Sequence, residues 1–67
     1  MLDPDIRLVR VTQDARFDEA GKMFDTIRVE FKVGEHGPFV ERFIKDTYTA
    51  EARDIKLNTF AREVRPA

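Results

Sequence analysis

The stretch Thr26-Ile27-Arg28-Val29-Glu30-Phe31-Lys32-Val33, then Gly34-Glu35-His36-Gly37-Pro38, then Phe39-Val40-Glu41-Arg42-Phe43-Ile44-Lys45, decides the fold. From Thr26 apolar and polar residues alternate without a break. Ile27, Val29, Phe31 and Val33 fall on one side, and Thr26, Arg28, Glu30 and Lys32 on the other. That is the period of a half-buried strand. Gly34 and Gly37 give the backbone the freedom a turn needs. Pro38 lacks a backbone donor, so it opens a strand rather than sitting inside a central one. A β-hairpin is expected, with strands over about residues 24–33 and 39–45.

Cross-strand chemistry chooses the register. Setting Val33 against Pro38 brings Glu30 against Glu41, two like charges. Setting Val33 against Phe39 brings Glu30 to Arg42 and Val29 to Phe43, and this register is preferred, with a five-residue loop Gly34–Pro38. It places Phe39 and Phe43 beside the apolar side of the preceding strand. It also places Glu41 among apolar side chains, opposite Phe31, and leaves Val40 and Ile44 on the polar face near Arg28 and Lys32. A carboxylate in that position needs a partner. The plainer explanation is a third strand at the sheet edge, where an inward charge discourages wrong pairing. The other is a salt bridge to an arginine, on this chain or a neighbour.

Toward the N-terminus, Ile6 to Thr12 is rich in β-branched residues and reads as a strand. Its alternation is imperfect: Arg7, Val9 and Val11 share one side, and Ile6, Leu8, Arg10 and Thr12 the other. Gln13 to Lys22 reads as a polar connection, anchored to the core by Phe17, with one helical turn in residues 15–20. Met23-Phe24 begins the next strand. Toward the C-terminus, Asp46 to Thr49 turns the chain. Thr49 is the expected helix N-cap and Glu51 lies in the first turn. Leu57, Phe60, Ala61 and Val64 recur at helical spacing, extended at the start by Ala50 and Arg53. Ile55, Ala52 and Thr59 lie on the opposite side. Arg62 and Arg65 close the helix and Pro66 stops it. The helix is expected over about residues 50–64.

The fold expected is α+β, β-β-β-α: a three-stranded antiparallel meander with one C-terminal helix packed on one face. The 67 residues make one small domain, 1–67. Hydrophobic residues at 42% and charged residues at 37% suit a small soluble globular domain. A core of this size rarely supplies more than about 3–5 kcal/mol of net stability, so an extra constraint is expected. There is no cysteine to supply it, which leaves association with a second copy or another protein. Acidic Met1-Leu2-Asp3-Pro4-Asp5 is not a signal peptide, and no apolar run approaches the roughly 18 residues of a membrane span. A cytoplasmic or assembly-bound protein is expected, with no membrane contact.

Serine and cysteine are absent, which excludes nucleophilic catalysis by either. His36 is the only histidine. It sits beside Glu35 at the hairpin tip, and two ligands on one loop do not close a metal site. Asp14, Asp18 and Glu19 lack the alternate-residue acidic pattern of a calcium loop. No glycine-rich phosphate motif occurs. No enzyme activity, cofactor or metal is expected. Arg53, Lys56, Arg62 and Arg65 are the best case for a basic patch. Asp54 and Glu63 interrupt them, and with twelve basic and thirteen acidic residues the net charge is −1. Nucleic-acid binding through the helix arginines is therefore the lesser reading.

The Gly34–Phe39 turn, the short strand after it and the Thr49-capped C-terminal helix, across residues 26–65, resemble small proteins encoded by bacteriophages. That resemblance implies a minor virion or assembly component, or an inhibitor of a host protein. Together these readings predict a non-enzymatic protein-interaction module, a structural or assembly component that self-associates. The alternative is a stoichiometric inhibitor or regulator. The expected contacts are Val40, Arg42 and Ile44 on the third strand, Glu35 and His36 at the turn, and Ile55 on the helix.

Overall fold

The strict alternation of Thr26–Val33 marks the central strand. The computed structural model describes residues 1–65. It contains β1 (Ile6–Phe17), β2 (Met23–Val33) and β3 (His36–Ile44), a 3-10 turn (Lys45–Thr47), and α1 (Ala50–Val64). The strands form an open antiparallel sheet in the order β1-β2-β3. One helix follows them and packs on one face, so the chain has the α+β architecture expected. Pro66, expected to stop the helix, lies outside the described residues.

β1 is longer than the expected 6–12. Residues 13–17 pair with 23–27, from Gln13 opposite Ile27 to Phe17 opposite Met23. The polar residues that look like a long loop serve a five-residue turn. The Asp18 carboxylate accepts from the backbone N–H groups of Ala20 and Lys22, each at 2.9 Å. Gly21 adopts φ +81°, a conformation that favours glycine. No helical turn forms at 15–20, and Phe17 does not anchor to the core: 69% of its surface is exposed.

The imperfect alternation of β1 also has a cause. A bulge lies between Leu8 and Arg10, and an extra residue there re-phases the strand. Ile6 and Leu8 pair with Val33 and Phe31, on the helix side. After the bulge Val11, opposite Val29, takes over that side. Arg7, Arg10 and Thr12 all turn to the outer face, opposite Lys32, Glu30 and Arg28.

The β2–β3 register differs from expectation. Val33 pairs with His36, so the loop is Gly34-Glu35 rather than five residues. Gly34 at φ +58° occupies the first of two loop positions, where glycine suits a tight hairpin turn. Gly37 and Pro38 then form a bulge opposite Lys32, since the next pair is Phe31–Phe39. A bulge accommodates proline inside a strand. The result is a two-residue shift from Val33–Phe39. Because side chains alternate with period two, every face assignment survives, but the partners change. Glu41 lies opposite Val29 rather than Phe31, and Arg42 opposite Arg28 rather than Glu30. β3 also begins earlier than residue 39, and Lys45 belongs to the following turn.

Packing follows from the faces. Val29, Phe31 and Val33 of β2, with Ile6, meet Leu57 and Ala61 of α1 to form the buried core. Phe60 joins it edge-on, with ring centroids 5.4 Å from Phe31 and 4.9 Å from Phe39. Thr49 caps the helix as expected, its hydroxyl oxygen accepting from Ala52 N–H at 3.0 Å. The helix stripe differs at its start, where Ala50 is exposed and Asp54 is buried. Asp54 is held by Arg53, at 2.9 Å, and by the Met1 amino group, at 3.3 Å.

This packing predicts a contrast between two apolar truncations. Leu57→Ala removes a fully buried side chain, a change that costs about 2–5 kcal/mol. In a domain this small that leaves the chain largely unfolded. Phe17→Ala changes the stability of the monomer, compared at high dilution, by no more than about 0.5 kcal/mol, as at exposed sites generally. Urea titrations followed by far-ultraviolet circular dichroism measure both, and equal losses would contradict the exposed placement of Phe17.

Candidate interaction surfaces

A 15-residue helix is about 22 Å long, whereas the molecule extends 42 × 20 × 20 Å. α1 therefore covers one end of the sheet. The other end of the β1–β2 hairpin projects as an arm, with Phe17, Met23 and Phe24 exposed at 69%, 59% and 37%.

Among the described residues no helix lies on the sheet face away from α1. Opposite pairs place Arg7, Arg10, Arg16, Arg28, Lys32 and Arg42 there, with Asp14 and Glu30 the only carboxylates in those pairs. Arg28 bonds Glu30 at 3.1 Å and Arg42 bonds Asp14 at 3.4 Å. Among the described residues Arg7, Arg10, Arg16 and Lys32 have no ion-pair partner. Two directly opposed pairs, Arg7–Lys32 and Arg28–Arg42, bring like charges together, which disfavours the sheet in isolation.

The helix cations, by contrast, are mostly engaged. Lys56 Nζ lies 3.2 Å from Glu41 Oε2 and 5.4 Å from the Phe43 ring centroid. The partner that Glu41 needs is thus a lysine of α1, not an arginine, and Glu41 also lies on an edge strand. Arg53 is paired with Asp54. Arg65 bonds Asp3 at 3.0 Å and makes a two-pronged contact with Asp5. Only Arg62 of the four expected basic residues has no ion pair among the described residues.

The expected contact residues divide among separate places. Val40, Arg42 and Ile44 share the outer face as expected, with Val40 and Ile44 exposed. Glu35 and His36 lie at the opposite end of β3 from Ile44 and are exposed. Ile55 lies across the sheet, lining an open groove of about 540 Å³ between α1 and Glu41 of β3, with Phe60 and Thr59. A second hollow, of about 500 Å³, forms where β3 stops at Ile44 and β2 runs on to Met23. Met23, Phe24 and Ile44 line it with Asp18, Asp25 and Asp46. Sequence reasoning missed this hollow and the bare arm. The signal available was Phe17, Met23 and Phe24 flanking a short turn.

Among the described residues no group of three His, Asp or Glu is placed to hold a metal ion, and no helix is long and apolar enough to cross a membrane. Comparison with protein-family models, curated proteins and solved structures gives no match to this chain.

The Arg65 clamp makes a pH prediction. Hydrogen bonds from Arg65 hold the Asp5 carboxyl below its ordinary 3.8. A lowered folded value means that the clamp stabilises the fold fully above 3.8 and is lost as pH falls through the lower folded value. Arg65→Ala should therefore melt at a lower temperature than the parent near neutral pH. The difference should close in acid, once Asp5 is protonated. Parallel thermal melts across that range are the check, and a deficit that stays constant would contradict the clamp.

Proposed function

We propose that this chain is a non-enzymatic protein-interaction module, a structural or assembly component that self-associates. The observation that carries the reading is the arm: Phe17, Met23 and Phe24 stand exposed on paired strands beyond the reach of α1. A monomer gains nothing from apolar side chains held in water on a rigid ribbon, and clustered exposed apolar surface marks interaction sites. The exposed Val40 and Ile44 of the outer face add to that surface. The small core supports the same reading, because contact with a second copy adds burial that one helix on three strands does not supply. The resemblance of residues 26–65 to small bacteriophage proteins favours a virion or its assembly as the setting.

Burying one such side chain contributes about 1.5–3 kcal/mol, which sets the expected effect of removing it. At micromolar concentration, sedimentation equilibrium should show a mass above one chain that falls on dilution. Phe17→Asp and Ile44→Asp should each weaken association about tenfold or more and leave the helical circular dichroism unchanged. A parent that remains monomeric throughout would overturn this reading.

A further inference from the structure

The hollow at the end of β3 and the cationic surface around the β1 bulge are complementary, and they lie far apart on the chain. The hollow combines exposed apolar side chains, Met23, Phe24 and Ile44, with the carboxylates Asp18, Asp25 and Asp46. None of these carboxylates has an ion-pair partner among the described residues, and one cation, Lys22, shares the lining. An apolar floor with an acidic rim fits a segment that is apolar at its centre and cationic at its sides. The bulge region of β1 has that composition. Val9, at the bulge, is 49% exposed, and Arg7, its opposite Lys32, and Arg10 have no ion-pair partners among the described residues. The bulge also lies on an edge strand, open to approach from the side.

Within one chain the two surfaces cannot meet. Lys32 lies beside the Gly34 turn at one end of β2, whereas Met23 begins the other end, along a strand of 11 residues. At about 3.3 Å per residue these ends stand roughly 30 Å apart. We infer that the hollow of one copy receives the Val9–Arg10 bulge of a second copy, Val9 packing on Met23, Phe24 and Ile44 while Arg7 and Arg10 meet Asp25 and Asp46. This rests on the self-association proposed above and names its contact. It also gives partners to Arg7 and Arg10 and to Asp25 and Asp46, which have no ion pair among the described residues. Opposite charges across a contact fix its register and suppress wrong pairings.

Complementation tests the contact. Arg7→Gln with Arg10→Gln removes the cationic side, and Asp25→Asn with Asp46→Asn removes the acidic side. All four residues lie outside the core, so both variants keep the parent's circular dichroism, and its melting curve at dilutions where the parent is monomeric. Each variant alone should associate about tenfold more weakly than the parent. An equal mixture, with one variant isotope-labelled, should form mixed pairs in native mass spectrometry, because one intact hollow then faces one intact bulge. Variants that associate as tightly as the parent would overturn this contact and leave self-association standing. So would a mixture in which mixed pairs are no commoner than like pairs. A monomeric parent would overturn both. Retention of the monomeric parent on single-stranded nucleic acid at low salt, lost only in the arginine variant, would assign the cationic face to a polyanion instead.

Discussion

Everything in this structure depends on the contact of Leu57 and Ala61 with Val29, Phe31 and Val33. Among the described residues it is the one cluster where two layers fully bury apolar side chains against each other. The strict alternation of β2 supplies one surface and the helical spacing of α1 supplies the other. Phe60 fills the side toward β3 by meeting Phe31 and Phe39 edge-on. The contact is short because the helix is short. A sheet twice as long as its cover has a packed end and a bare end. The arm is thus a geometric consequence of pairing a 12-residue strand with a 15-residue helix.

The same contact sorts the charges. Docking α1 on the sheet brings Lys56 to Glu41, and Arg65 to Asp3 and Asp5. These pairs tie the helix to β3 at one point and to the lead-in segment at the other. They also consume the cations that made the helix look basic. On the outer face Arg7, Arg10, Arg16 and Lys32 remain without ion pairs among the described residues. Exposed ion pairs contribute little individually, so the pairing matters chiefly for which charges it leaves free.

Much of the fold was legible in the residues. The alternation of Thr26–Val33, the 57-60-61-64 spacing and the Thr49 cap each produced the element expected of them. The imperfect alternation of residues 6–12 was visible too, and the structure traces it to the bulge between Leu8 and Arg10. Two things were not legible. The β2–β3 register depends on where the bulge at Gly37-Pro38 falls, and a two-residue shift leaves the hydrophobic pattern unchanged, so pattern alone cannot detect it. The arm was hidden because Asp14, Asp18 and Glu19 have loop composition; strand there is set by pairing with β2 rather than by intrinsic preference. Of the candidate site, the outward placement of Val40, Arg42 and Ile44 was legible from parity. The hollow was not, because it exists only where β3 ends before β2 does.

The central claim is that the helix-covered end folds alone and the arm is completed by a second copy. Native-state hydrogen exchange resolved by residue, at two protein concentrations, tests it directly. At high dilution the amides around Phe31 and Val33 should exchange only through global unfolding, and those of Arg16, Phe17, Met23 and Phe24 through easier local opening. Raising the concentration should slow local opening in the arm, and should also slow global unfolding at Phe31 and Val33, because a second copy that binds only the folded chain stabilises the whole of it. Arm amides as protected as the core at high dilution, with no response to concentration, would contradict the account.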